Sequence, residues 1–177
     1  MNNKALLVID IQNDFTSDSA RMPVDVNQCE SIIFKINNLI DSASEKKMTV
    51  IYIGNEYSKF DLWNIFRNFA AIKNTQGSKL DKRLNIASNY YFPKHKGNAL
   101  SNEELGKFLK SENINDLNVC GLYAEHCVLQ TLKGALKNKF QVTVLTDCIA
   151  AKTDKRLTEA VEQFKKLKIK SMSSNDI

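Results

Sequence analysis

The chain reads as an α/β fold: a doubly wound, mainly parallel sheet of about six strands with helices on both faces, Rossmann-like in layout. Three observations predict it. Short, almost unbroken apolar runs recur along the sequence, as strands buried on both faces of a parallel sheet require. Between them stand stretches with apolar residues at helical spacing. Glycine and proline are scarce, six and two in 177 residues, which leaves little room for linkers or a loop-built scaffold.

Residues 1–3 read as a frayed start. The first strand is 5–11, ALLVIDI, apolar except for Asp10. Ile32, Ile33, Ile36, Leu39 and Ile40 then form one stripe and predict a helix over 26–45. The second strand is 48–53, MTVIYI. Residues 54–84 carry aromatic side chains but no clear periodicity. A short strand at 90–92 ends at Pro93. Ser101 with Glu104 reads as a capping box opening a helix that buries Leu105, Phe108 and Leu109. A strand at 117–120, a helix over 125–138 and a strand at 142–146 follow. Thr153 caps a last helix with Leu157, Val161, Phe164 and Leu167 inward, ahead of a short strand at 169–172. Right-handed crossovers turn this alternation into one doubly wound domain over residues 1–177, with no internal repeat.

Composition narrows the function classes. A 43% hydrophobic and 25% charged chain is ordinary for a globular domain large enough to bury a core. No apolar run approaches the roughly 20 residues that span a bilayer, and the first run is too short for a secretory signal, so a cytoplasmic protein with no membrane partner is expected. The four cysteines, Cys29, Cys120, Cys127 and Cys148, make no CxxC pair, which argues against a disulfide framework or structural zinc. The net charge of +5 is scattered in lysines such as Lys165, Lys166, Lys168 and Lys170, and no basic and aromatic stripe marks a nucleic-acid partner.

Open α/β sheets bind ligands beyond the carboxyl ends of their strands. Three reactive side chains qualify by position: Asp10 at the end of the first strand, Lys94 just after the third, and Cys127 at the start of the helix after the fourth. A thiol near a helix N-terminus feels the positive end of the helix dipole, which favours the thiolate. The amide groups left free at that helix start can hold an oxyanion. Lys94 would stabilise negative charge, and Asp10 could take the thiol proton and later activate water. Taken singly, each has a plainer reading: Cys127 as a core thiol, Asp10 as a cap for nearby amides, Lys94 as a surface lysine.

Larger motifs join these residues. The segment LVIDIQNDF at 7–15 resembles the opening motif of the isochorismatase-like cysteine hydrolases, the superfamily that includes nicotinamidases and N-carbamoylsarcosine amidohydrolases. GLYAEHCVLQT at 121–131 is similar to its nucleophile motif, and Phe92-Pro93-Lys94 with Ala99-Leu100-Ser101 resembles the segment carrying its lysine. Asp147-Cys148-Ile149-Ala150-Ala151 resembles its turn after the fifth strand. The resemblance implies the isochorismatase fold, a catalytic triad of Asp10, Lys94 and Cys127, and a homo-oligomer. It also implies a non-proline cis peptide, here Leu122-Tyr123, aiming the N–H groups of Tyr123 and Cys127 at a substrate oxygen.

One part of the pattern is missing. Nicotinamidases hold a metal with one Asp and two His after the second strand, but this chain has only His95 and His126, and Gly54-Asn55-Glu56-Tyr57 offers no imidazole. A metal-independent enzyme without cofactor is therefore expected. Adjacent helical residues point about 100° apart, so His126 reads as lining the substrate and not as a base for Cys127; His95 is a pocket contact. Phe15, Asn64 and Arg67 are further candidate contacts for a small-molecule substrate. The segment 60–69, with the single Trp63, reads as a short amphipathic helix packed on the core, or as a pocket wall or part of a subunit interface. Hydrolysis of a C–N bond in a small amide, carbamoyl or ureido-type compound is the leading expectation. Vinyl-ether hydrolysis of the isochorismatase type is the alternative, disfavoured because it needs no thiol. A non-catalytic ligand-binding or scaffold role is disfavoured by the intact triad.

Overall fold

A computed structural model describes residues 3–177, so the frayed start expected at Met1 and Asn2 lies outside the described residues. Asn3 is tied down, its carbonyl accepting from the amides of Asn115 and Asp116. Six strands form one wholly parallel sheet. They are β1 (Lys4–Ile9), β2 (Thr49–Asn55), β3 (Tyr91–Lys94), β4 (Asp116–Gly121), β5 (Gln141–Ile149) and β6 (Lys170–Met172). Their spatial order, β3-β2-β1-β4-β5-β6, reverses direction at β1 and β4, the switch point where such sheets bind ligands.

Five helices join them: α1 (Asn13–Thr16), α2 (Val26–Glu45), α3 (Glu103–Ser111), α4 (Leu129–Lys137) and α5 (Asp154–Lys166). The period-two alternation of the strands divides the core between two faces. Leu6 and Val8 of β1 pack with the Ile32, Ile36 and Ile40 stripe of α2. Ala5, Leu7 and Ile9 pack on the other face with Leu105 and Leu109 of α3, Leu132 of α4 and Phe164 of α5. The 20-residue helix α2 has the expected bounds, with Asp25 accepting from the amide of Asn27 at its start. Thr153 caps α5 as expected, through the amide of Arg156.

Three expected boundaries are corrected. Pro93 does not end the third strand: β3 runs through it to Lys94, which a proline permits on an edge strand because its missing N–H faces away from the neighbour. The cap of α3 is Asn102 and not Ser101; its Oδ1 accepts from the amides of Glu104 and Leu105. The expected helix over 125–138 is two elements, a π-helical turn Ala124–Val128 followed by α4. Between β2 and β3 the chain holds only the 3-10 turn Leu62–Arg67 and isolated bridges.

Candidate active site

The topology brings Asp10, Lys94 and Cys127 into one buried cluster at the carboxyl rim of the sheet. Asp10 follows β1 and turns the chain with a left-handed backbone (φ 55°), a conformation an aspartate tolerates better than most residues. Its amide is fixed to the carbonyl of Ile53. Lys94 ends β3 in register with Asn55, the last residue of β2. Cys127 sits on the π-helical turn after β4. Gly121 makes the approach possible: its φ is +112° and any Cβ would lie 2.1 Å from the carbonyl oxygen of Ile9. The Leu122-Tyr123 peptide that follows is cis.

The Lys94 ammonium has three protons and three partners: Asp10 Oδ2 at 2.8 Å, Asn55 Oδ1 at 2.7 Å and Cys127 Sγ at 3.3 Å. Asp10, Lys94 and Cys127 are 0%, 1% and 3% exposed, so water contributes little to these charges. Burial alone would lower the Lys94 ammonium, but the Asp10 carboxylate and the Cys127 sulfur hold it above its ordinary range. Cys127 behaves otherwise than the helix-end position leads one to expect. Burial, reinforced by the Asp10 carboxylate, pushes its thiol up to about 12 against the pull of Lys94. Desolvation outweighs the pull of the lysine, which disfavours the resting thiolate.

The Tyr123 carbonyl accepts from the amides of His126 (3.0 Å) and Val128 (3.1 Å), passing over that of Cys127. Leu122 is fully buried, its amide on the carbonyl of Ile9. Phe15 meets the Tyr123 ring edge-on at 5.6 Å. His126 is exposed and lies beside Gly97. His95 is exposed and meets the Glu56 carbonyl through Nδ1. Asn64 is spent within its own loop, donating to the carbonyls of Ser58 and Lys59. Arg67 pairs with Asp61 and stacks 3.8 Å over the Tyr57 ring. Neither Asn64 nor Arg67 contacts the triad directly.

Strand-end reasoning applied to β2 would have found Asn55, which the sequence reading passed over. Its Nδ2 donates to Asp10 Oδ2 at 2.8 Å, and its Oδ1 accepts from Lys94 and, at 2.9 Å, from the Tyr57 hydroxyl. Gln12 clamps the Asn55 backbone, donating to its carbonyl and accepting from its amide. Gln12 acts across the fold, so nothing local announces it, whereas Tyr57 stands only two residues beyond Asn55. A cleft of about 690 Å³ lies beside this cluster, lined in part by Glu56, Tyr57, Lys73 and His95. Among the described residues no group of three His, Cys, Asp or Glu side chains is placed to hold a metal ion. The Asn55-Glu56-Tyr57 segment does not fit a one-Asp, two-His site.

The family model of the isochorismatase domain matches residues 4–176. An Arabidopsis thaliana protein named a probable inactive nicotinamidase is 29% identical over 182 residues, covering 96% of this chain and 91% of its own. An isochorismatase-like hydrolase from Alkaliphilus metalliredigens superposes with a TM-score of 0.90 at 25% identity, over 98% of this chain and 96% of its own. The N-carbamoylsarcosine amidase of Thermoplasma acidophilum shares the fold, with a TM-score of 0.86 at 20% identity over 98% of each chain. With nearly its whole length matched and its sheet superposed, this chain is a member of the isochorismatase family.

Proposed function

We propose that the protein is a cytoplasmic cysteine hydrolase that cleaves a C–N bond of a small amide, carbamoyl or ureido-type compound without a metal. The observation that carries this reading is the contact of Lys94 with both Asp10 and Cys127 inside a water-poor cluster. As Cys127 Sγ adds to the substrate carbonyl carbon, its proton passes to Asp10. The amides of Tyr123 and Cys127 receive the oxyanion. Collapse of this adduct breaks the C–N bond, and the Asp10 proton leaves with the departing nitrogen. A water then gives a proton to Asp10 and its hydroxyl to the thioester carbonyl. The C–S bond breaks and the sulfur recovers its proton. Lys94 steadies the sulfur whenever it is anionic. Phe15 and His126 are assigned to the substrate side, while Asn64 and Arg67 support the loop that bounds it.

The absence of a one-Asp, two-His donor set after β2 speaks against nicotinamide as substrate. A hydrolysis screen over amides, carbamoyl compounds, ureido acids and isochorismate tests the reading, with wild type beside Cys127→Ala. Amide or carbamoyl turnover that vanishes in the variant is expected. Turnover indifferent to the substitution, or confined to isochorismate, overturns it.

A further inference from the structure

We infer that Asn55 is a positioning residue that holds the Asp10 carboxylate so that one of its oxygens stays free to accept the Cys127 proton. This rests on the thiol chemistry proposed above. The hydrogen-bond inventory of the cluster leads to it. Every proton of the Lys94 ammonium is used, and Asp10 Oδ2 already accepts from Lys94 and from Asn55 Nδ2. Asp10 Oδ1 is buried with no hydrogen-bond partner, one of few such atoms among the described residues. A buried carboxylate oxygen left open costs free energy and calls for a use. Cys127 Sγ sits 3.3 Å from Lys94 Nζ and 3.9 Å from Asn55 Nδ2, the same two donors that hold Asp10 Oδ2, so the thiol stands beside this carboxylate.

The amide of Asn55 has only one workable orientation. Flipped, its NH2 would meet the Lys94 ammonium and its oxygen would meet Asp10 Oδ2, two like-with-like contacts. The Tyr57 hydroxyl, donating to Oδ1, holds the same orientation from the other side. An aspartate at 55 would instead set a second carboxylate against Asp10. Asparagine is therefore suited to both charges: it donates to the carboxylate, accepts from the ammonium and adds no charge. With Oδ2 held by two donors, the carboxylate cannot rotate and Oδ1 stays open.

The consequence is readable without a substrate. In alkylation by iodoacetamide the S–H bond breaks, its proton moves to Asp10 Oδ1, and Sγ displaces iodide. While Asp10 is the acceptor, the rate does not depend on pH. At higher pH direct loss of the thiol proton to solvent takes over, and the rate climbs tenfold per unit. The groups facing the sulfur from neighbouring elements are Asp10, Lys94, Tyr57 and Tyr123. Glu56 and Tyr91, with Arg67 behind Tyr57, lie further out. Burial holds the Tyr57 and Tyr123 hydroxyls above their ordinary range, so neither titrates in the window used.

The experiment follows Cys127 alkylation in the full chain from pH 6 to 10 by peptide mass spectrometry, with Cys29, Cys120 and Cys148 as internal references. Asn55→Ala is expected to lower the neutral plateau about tenfold, a part of the 10²–10⁴ that general bases contribute, and to leave the rising limb in place. Tyr57→Phe, which keeps the ring and loses only the hydroxyl, should lower the plateau two- to threefold in the same manner. If Asn55→Ala does not fold, Tyr57→Phe decides. A wild-type profile in the variants, or an equal drop on both limbs, reduces Asn55 to packing and overturns the inference. A failed hydrolysis screen with the plateau effect intact would remove the proposed substrate chemistry and leave this inference standing.

Discussion

Lys94 carries a full charge at a point sealed from water, and the whole cluster depends on how that charge is matched. Its partner Asp10 is equally buried, so removing one leaves the other uncompensated. Lys94→Met should abolish turnover and cost about 3–5 kcal/mol in guanidinium unfolding. The Lys94→Met, Asp10→Asn pair should recover part of that stability and none of the activity. A second ion pair sets the acid limit. Burial would raise Asp81, but hydrogen bonds from Arg83 and Thr16 hold its carboxyl at about 2. A carboxyl lower in the folded than in the unfolded chain contributes stability above its unfolded value, near 3.9, and loses it as pH falls toward 2. That contribution is about 2 kcal/mol. Asp81→Asn should therefore cost about that much in urea melts at pH 6, with the gap to wild type closing between pH 4 and 2.

At the scale of elements, Asn102 does two things that Ser101 does not. Its oxygen caps α3, and its Nδ2 donates to the Pro93 carbonyl, the residue before Lys94. Asn102→Ala should lower stability by about 1–2 kcal/mol, whereas Ser101→Ala should cost a few tenths at most; paired thermal melts separate them. The capping-box pattern pointed one residue early because Ser and Asn are both good caps, and only the backbone entry angle chooses between them. The buried strands and α2 were readable because burial on two faces or one stripe writes itself into residue type. The π-helical turn under Cys127 was not, since its hydrogen bonds are set by the Gly121 approach to Ile9 and the turn that follows it.

At the scale of the whole molecule, large apolar side chains crowd the surface along segment 60–69, more than anywhere else among the described residues. Phe60, Leu62, Trp63, Ile65 and Phe66 are 66–85% exposed. With aromatic side chains worth roughly 150–250 Å² each, the patch is on the order of 600–800 Å², larger than most monomers leave bare and close to one side of a standard interface. It borders the cleft lined by Tyr57 and His95. These features support the homo-oligomer as our reading of the assembly. Light scattering should show a multimer in the wild type and a smaller species in Trp63→Ser, Phe66→Ser; a wild-type monomer would defeat this assignment.

The sequence by itself determined the α/β class and the strand-helix alternation, because these rest on local burial patterns; strand ends made Asp10, Lys94 and Cys127 candidates, and the motif resemblance singled them out as a set. Tertiary structure alone decided the rest. Asn55 and Gln12 gain their roles from partners tens of residues away, and although a strand end marks the position of Asn55, only the fold shows what it holds. The direction in which the Cys127 thiol is shifted also depends on the fold. A helix end can be read from spacing, but the cost of taking a thiol out of water depends on everything packed around it.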